Sequence, residues 1–310
     1  MPSPSVIAII LNWNKYDDVV ICIESLLASS HPFERIVLAD NGSTDDSFAR
    51  LKQKFDACPS VVFIDNGSNL GFAAGMNAAY EQIAELRPDY ILLMNNDAKV
   101  APDCLETLLD AARKEERPGL IGPTIYYTSR PETVWHGGGR YNKWKCSVTM
   151  PNKDQPLPAS VREPVQCGFL TGCVLLVSTE AWEACSGFDE DFFFYSEDLD
   201  LCWRIRDAGY SILYVPRSSA WHKLIGVAED RSTPFTMYNF GRSLALLIRK
   251  HYGVLHKIYA ALFIPLVMSP FRMYQCTKGS TPRKSIVAWW KGLYAGLRYR
   301  LSDVDDPNTD

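Results

Sequence analysis

Four short apolar runs, each closing on Asn or Asp and each leading toward a helical pattern, constrain this chain more than any other feature. Val6–Leu11 closes on Asn12-Trp13-Asn14, Arg35–Ala39 on Asp40-Asn41-Gly42, Val61–Ile64 on Asp65-Asn66, and Tyr90–Met94 on Asn95-Asn96-Asp97. Strands that are apolar almost throughout belong to a sheet buried on both faces, and intervening helices supply the crossovers that parallel strands need. The spacing predicts helices over Tyr16–Ala28, Ala73–Leu86, Pro102–Lys114 and Asp198–Ala208, the last stopped by Gly209 and followed by a strand at Tyr210–Val215. Ser43 or Thr44 is expected to cap the helix after the second strand, with Asp45 and Asp46 favouring its dipole. The expected fold is an open α/β sheet, mostly parallel, whose ligands lie beyond the carboxyl ends of its strands.

At 310 residues, 47% hydrophobic and 22% charged, the chain accommodates one large domain or two small ones. Its nine cysteines are scattered from Cys22 to Cys276 without a C-x-x-C pair or zinc spacing. That pattern fits a reducing compartment rather than a disulfide framework or a structural zinc. The opening "MPSPSVIAIILNWN" lacks a basic leader and its apolar run is short, so a cytoplasmic start is expected.

Net charge of -4 hides an asymmetry. Between Arg231 and Arg300 there are 12 Lys/Arg and no Asp/Glu, and the last ten residues hold four Asp; residues 231–310 therefore carry +8 and residues 1–230 carry -12. The expected division is an α/β domain over residues 1–228 and a basic amphipathic helical region over residues 229–310. In that tail, 14 residues from Ile258 to Phe271 contain no charge but include Pro265 and Pro270. A bilayer span takes about 20 apolar residues, so a helix lying in the interface is expected, its Lys and Arg meeting anionic head groups. Such apolar runs suit a membrane face better than nucleic acid.

The four polar strand ends converge on one sheet edge. A lone Asp-Asn-Gly is ordinarily a turn; four together supply amides and carboxylates suited to a base, a ribose or a metal, and the Asp40 carboxylate is able to accept the N3–H of uracil or thymine. No P-loop lysine and no G-x-G-x-x-G is present, which argues against an NTPase or a dinucleotide fold. In "NLGFAAGMNAAY", Asn69, Gly71 and Gly75 serve either close helix–sheet packing or a backbone cleared for a nucleotide, with Asn77 facing the site. "YSEDLDLCWR" opens a helix with Glu197, Asp198 and Asp200. Asp200 is expected to pair with Arg204 one turn on. Asp198 follows four aromatic residues, Phe192 to Tyr195, and sits beside Glu197, so burial and like charge should raise its pKa toward that of a useful base. His222, alone an ordinary imidazole, becomes a second metal ligand if it meets Asp97.

These segments, with "FLTGCVLLVS" and "WHK", occur in an order that resembles the family 2 inverting glycosyltransferases of the GT-A fold, rhamnosyltransferase-like branch, over roughly residues 5–225. The resemblance implies transfer of one sugar from a nucleotide-diphosphate sugar, dTDP-rhamnose or a UDP-sugar, to a hydroxyl of a glycan acceptor, in cell-surface polysaccharide synthesis. It implies Asp97 as ligand of Mg²⁺ or Mn²⁺ bridging the donor diphosphate, with Asn95 where many relatives have Asp. It further implies that Asp40 reads the pyrimidine, that Asn12 lies near the nucleoside with Asn69, Gly71, Asn77 and Asn96 around it, and that Asp198 of the Glu197-Asp198 pair is the general base. A lipid-linked acceptor would be met at the inner face of the cell membrane through the basic tail. Two competing readings are a sugar-phosphate nucleotidyltransferase, which should carry a Gly-rich basic loop where this chain has "LNWNKYDD", and a non-catalytic membrane-bound scaffold.

Overall fold

The computed structural model describes residues 3–224 and 232–301, so the expected boundary at residues 228–229 lies outside the described residues. The chain forms two units. The first comprises Met1–Asn142, Ser147–Asp189 and Glu197–Ile225; the second comprises Lys143–Cys146, Glu190–Ser196 and Gly226–Asp310.

The first half of the first unit alternates as its apolar runs dictate: β1 (Val6–Asn12), α1 (Tyr16–Leu27), β2 (Arg35–Asp40), α2 (Ser47–Phe55), β3 (Val61–Asp65), α3 (Phe72–Glu81) and β4 (Tyr90–Asn95). β5 (Ala98–Val100) and α4 (Cys104–Ala112) follow the turn after β4. The remaining elements are β6 (Pro118–Tyr127), β7 (Arg130–His136), the small hairpin β8 (Arg140–Asn142) with β9 (Ser147–Thr149), and β10 (Val165–Gln166). They continue with β11 (Val174–Ser178), α5 (Thr179–Ala184), α6 (Glu197–Asp207) and β12 (Ser211–His222).

The main sheet has ten strands, ordered β10-β12-β6-β11-β4-β1-β2-β3, with β5 on β12 and β7 on β6. β3, β2, β1 and β4 are mutually parallel. β11 then runs antiparallel between β4 and β6, while β6 and β12 are parallel to each other. The sheet is therefore mixed beyond β4. The apolar runs alone could not reveal that, because a buried strand has the same composition in either direction. Ile7, Ile9, Ile10, Val37, Leu38, Ile91 and Leu93 are all fully buried. Each such side chain contributes roughly 1.5–3 kcal/mol relative to exposure.

Several expected boundaries shift for local reasons. α3 ends at Glu81 and a short 3-10 turn takes Ala84–Leu86, because Arg87 precedes Pro88 and turns into the left-handed region. Neither Ser43 nor Thr44 caps α2: the helix begins after Asp46, which makes no side-chain cap. Ser43 is held by Asp40 instead, and Thr44 pairs with Asn14. β12 runs on from Val215 to His222 through a register shift between Val215 and Ser219. "VPRSSA" looks like a strand exit; it is a bulge.

The second unit contains α7 (Pro234–His251), α8 (Val254–Phe263), a π-helical turn (Ile264–Met268), α9 (Ser269–Cys276) and α10 (Pro282–Arg298). Thr233 caps α7, its Oγ1 accepting from the Thr236 amide, with Pro234 in the first helical position. α7 and α10 cross at glycine: a Cβ on Gly241 would lie 2.6 Å from the Trp289 carbonyl oxygen, and one on Gly292 would strike the Tyr238 backbone. Residues 254–276 form one apolar helical run, passing Pro265 and Pro270 by widening into the π turn. Its 23 residues, with an 18-residue stretch at mean hydropathy 1.5, are long and apolar enough to cross a membrane.

Candidate active site

Register gathers the polar strand ends. Asn12 stands opposite Asp40, and Asp40 opposite Asp65, while Leu11 pairs with Asn95 and so brings Asn96 beside Asn12. This is the carboxyl edge of the parallel strands, where the strand order reverses between β1 and β4. Asn12 is fully buried and links both sides: its Nδ2 donates to Asp40 Oδ1 at 2.9 Å, and its Oδ1 accepts from Asn96 Nδ2 at 3.2 Å. Asp40, also buried, accepts two further bonds, from Ser43 Oγ (2.5 Å) and the Ser43 amide (2.8 Å). A carboxylate offers about four acceptor positions. Three are used among the described residues, leaving one on Oδ2 for an incoming N–H.

Asn41, one residue further, organises the rim. Its Nδ2 donates to Asn69 Oδ1 (3.2 Å) and the Gly71 carbonyl (3.0 Å), and its Oδ1 accepts from Asn66 Nδ2 and the Leu70 amide. A Cβ on Gly75 would come within 3.0 Å of both the Asn41 amide oxygen and Leu11. Gly75 thus serves close packing, and Gly71, at φ +84°, supplies the turn into α3. Asn77 is turned elsewhere, donating to the Phe188 carbonyl at 2.8 Å and accepting from its amide at 2.9 Å.

Asp97 and His222 meet because β5 pairs with the far end of β12, putting His222 opposite Ala98. His222 Nε2 lies 2.9 Å from Asp97 Oδ1; the imidazole is buried and the carboxylate 14% exposed. Among the described residues no group of three or more His, Cys, Asp or Glu is gathered, so a cation here would have two such protein ligands. One carboxylate oxygen and one imidazole nitrogen fit a divalent ion that would need further oxygen ligands from outside the protein. Asn95 donates its amide to the Cys173 carbonyl at 2.8 Å and adds no charge.

Asp198 comes to the same edge by a route the sequence did not expose. β11 runs antiparallel to β4, so the residues just before it, Thr171 to Cys173, lie at the carboxyl end of β4. The Gly172 amide donates to Asp198 Oδ2 at 3.3 Å, and the next residue, Cys173, pairs with Asn95. The buried Cys173 thiol, raised well above its usual range mainly by burial, also feels the charges of Asp97 and Asp198. Asp198 Oδ1 accepts from the Leu199 amide at 2.8 Å.

Burial pushes the Asp198 carboxyl up to about 6, against the opposing pull of the Gly172 and Leu199 amides and the Thr171 hydroxyl. Glu197 is pushed higher, well above the carboxylate range, by burial and then by the Asp198 charge. Its Oε2 is buried with no hydrogen-bond partner among the described residues. The two carboxyls share one buried site and titrate as a pair, which holds a proton more readily than separate carboxylates would. Asp200, fully buried, pairs with Arg204 at 2.7 Å as its spacing predicts.

Ser43, Thr171 and Gly172 were not among the residues expected at the site, and Asn41 was expected there only as part of the Asp40-Asn41-Gly42 strand end. Ser43 was legible as a polar turn residue, but which partner it takes depends on the β1–β2 register.

Comparison with known proteins gives a consistent picture. Residues 7–174 match the family model described as glycosyl transferase family 2. The N-acetylglucosaminyl-diphospho-decaprenol L-rhamnosyltransferase of Mycobacterium tuberculosis (strain ATCC 25618 / H37Rv) is 32% identical over 220 residues, covering 63% of this chain and 68% of that protein. Rhamnosyltransferase WbbL of Escherichia coli (strain K12) is 26% identical over 227 residues, covering 69% of this chain and 81% of that protein. Among solved structures, GalNAc-T7 with UDP, GalNAc and Mn²⁺ superimposes with a TM-score of 0.63 at 14% identity, over 88% of this chain and 59% of that one. The mannosyltransferase PcManGT from Pyrobaculum calidifontis with GDP-Man and Mn²⁺ gives 0.56 at 15% identity, over 95% and 85%. These two likenesses speak to the fold, which is GT-A.

Proposed function

The chain belongs to glycosyl transferase family 2, and from that premise we propose that it moves one sugar, rhamnose from dTDP-rhamnose or the sugar of a UDP-sugar, onto a hydroxyl of a lipid-linked glycan with inversion at the anomeric carbon. The observation that carries this reading is the Thr171–Cys173 segment, which joins the Asp198 carboxylate through Gly172 to the Asn95–Asp97 turn through Cys173. A base and a diphosphate site so linked suit a single displacement across an anomeric carbon. The relative in M. tuberculosis acts, by its name, on a diphospho-decaprenol glycan; that supports rhamnose and a lipid-linked acceptor here.

In this reading the free acceptor position on Asp40 takes the N3–H of uracil or thymine, with Asn12 fixing the carboxylate from behind. Asn41 holds the Asn69–Gly71 turn that borders the nucleoside. Asp97 and His222 would hold a Mg²⁺ or Mn²⁺ ion, which when bound stabilises the charge developing on the leaving diphosphate. Asp198 accepts the proton of the acceptor hydroxyl as its oxygen bonds to the anomeric carbon and the bond to the diphosphate breaks. Glu197, pushed well above the carboxylate range, takes up a proton more readily than a free carboxylate and so adds less charge beside Asp198.

We also assign the α/β unit to catalysis and the basic helical unit to the inner surface of a membrane. α8, the π turn and α9 support this: one row (Ala260, Ile264, Met268, Cys276) is buried, while the row Val254, Ile258, Leu262, Leu266, Tyr274 is 59–74% exposed. A helix packed along one face and apolar on the other lies in an interface more readily than it crosses one.

The test is a donor screen with purified protein, dTDP-rhamnose and UDP-sugars against a lipid-linked glycan, with and without Mn²⁺. One donor should support transfer, and Asp198→Asn should slow it by about 10²–10⁴-fold. Wild-type rates in that variant, or release of pyrophosphate from a nucleoside triphosphate with a sugar phosphate, would overturn the reading.

A further inference from the structure

The second unit contains a groove of about 510 Å³ that the catalytic reading does not use. It exists because glycines draw α7 and α10 together while α8 stands off, burying only Ala260. Ala260, Ala261, Ile264, Trp290 and Leu297 form much of its wall. Its charged lining residues are Arg249 and Lys257. Arg249 is partly engaged, its Nη1 donating to the carbonyls of Gly296 and Tyr299 at the end of α10. Lys257 is exposed and has no side-chain partner among the described residues. No Asp or Glu occurs between residues 231 and 300, so nothing acidic in that stretch offsets these cations.

The lining selects its occupant by chemistry. A volume of this size is that of a ligand site rather than a packing defect. A peptide would bring N–H groups that find no acceptor on an apolar wall whose charged groups are both cationic, and each buried without a partner is costly. A sugar or nucleoside would lose its hydroxyl bonds in the same way. A hydrocarbon chain ending in phosphate satisfies both parts, and one groove accommodates one chain where a diacyl phospholipid carries two. We propose that this groove binds the isoprenoid chain of a polyprenyl phosphate or diphosphate, with Lys257 and Arg249 facing the phosphate. The assignment rests on the lipid-linked acceptor proposed above and names where the tail of that acceptor is held.

The probe is geranylgeranyl phosphate, titrated calorimetrically into the full-length protein below its micelle-forming concentration. Wild type should bind it, and bind inorganic phosphate and geranylgeraniol at least about tenfold more weakly. Ala261→Trp and Leu297→Trp fill the groove from exposed positions and should each weaken binding by about tenfold or more. Lys257→Glu, a surface change that spares the helix packing, should weaken geranylgeranyl phosphate by a similar factor while leaving geranylgeraniol unchanged. No binding by wild type, or undiminished binding in the two Trp variants with their thermal unfolding intact, would overturn the proposal. Equal affinity for dispersed phosphatidylglycerol would overturn the isoprenoid assignment in favour of bulk membrane lipid. The two readings separate by assay. Groove binding without any transfer to a lipid-linked glycan strikes the acceptor; transfer whose KM for that acceptor is unmoved by Ala261→Trp strikes the groove alone.

Discussion

Asp198 and Glu197 are adjacent carboxyls to which the proposal gives different tasks, and pH should separate them. Asp198 sits at about 6, so kcat/KM should rise through that value and level off above it. Burial and the Asp198 charge push Glu197 well above the carboxylate range, so its neutral isostere in Glu197→Gln should keep activity within about threefold at pH 7, where Asp198→Asn loses most of it. Stability carries the opposite sign. A carboxyl whose folded pKa is raised favours the folded state below its unfolded pKa, and that contribution is lost as pH rises toward the folded value. Asp198→Asn should therefore unfold at a higher temperature than wild type near about pH 8, by on the order of 1–2 kcal/mol, and converge with it near about pH 4. The Asp97–His222 pair leads to a second test. With two such protein ligands, a metal should bind weakly alone and tightly with the nucleotide, each raising the other's affinity by the same factor. Titration of Mn²⁺ with and without UDP or dTDP measures this; His222→Ala should reduce the coupling, and tight Mn²⁺ binding without nucleotide would contradict it. Asp40, Asp97 and Asp198 were legible as candidates because carboxylates at strand and helix ends are few. Gly172 was not, since it acts through a pairing 26 residues along the chain that one-dimensional spacing does not carry.

At the level of elements, the first turn of α6 carries both the proposed base, Asp198, and a carboxylate that serves the fold, Asp200. Asp200 is buried and holds Arg204 at 2.7 Å, and Arg204 donates onward to the carbonyls of Cys185 (2.6 Å) and Gly187 (2.9 Å). Phe188, next in the chain, is clamped in turn by Asn77 of α3. Asp200→Ala should cost about 3–5 kcal/mol, the range for removing one partner of a buried ion pair. Denaturant unfolding reads the loss, and kcat per folded molecule should stay near wild type; a large fall in kcat with little loss of stability would place Asp200 in the chemistry. The parallel half of the sheet was legible because βαβ alternation leaves few other arrangements for β1 to β4. The half beyond β4 was not: β11 reverses direction between β4 and β6 with no change in composition. The bulge in β12 also hides that one strand carries both Tyr214 and His222, and only pairing with β5 reveals why His222 reaches Asp97.

Across the whole molecule, charge and apolar surface are divided between the two ends of the chain. Residues 231–310 carry +8 against -12 for the rest, and the same stretch contains the 23-residue apolar helical run with its exposed row. A cationic, apolar surface meets an anionic bilayer with both terms favourable, whereas a neutral bilayer offers only the second. The intact protein should therefore float with vesicles rich in phosphatidylglycerol and much less with phosphatidylcholine vesicles. Leu255, Leu262 and Leu266 are 61–76% exposed, so replacing all three by Glu removes apolar contact and adds repulsion without opening the core. That variant should stay folded and remain in the soluble fraction. Salt distinguishes lying on the bilayer from crossing it. At about 0.5 M the screening length falls to a few ångströms, so an interfacial helix held partly by charge should be released in part. A helix that crosses buries about 20 apolar residues in hydrocarbon and should not respond. Flotation of the triple variant equal to wild type would remove the exposed row from the interaction. Wild-type flotation unmoved by salt would replace the interfacial helix with a spanning one.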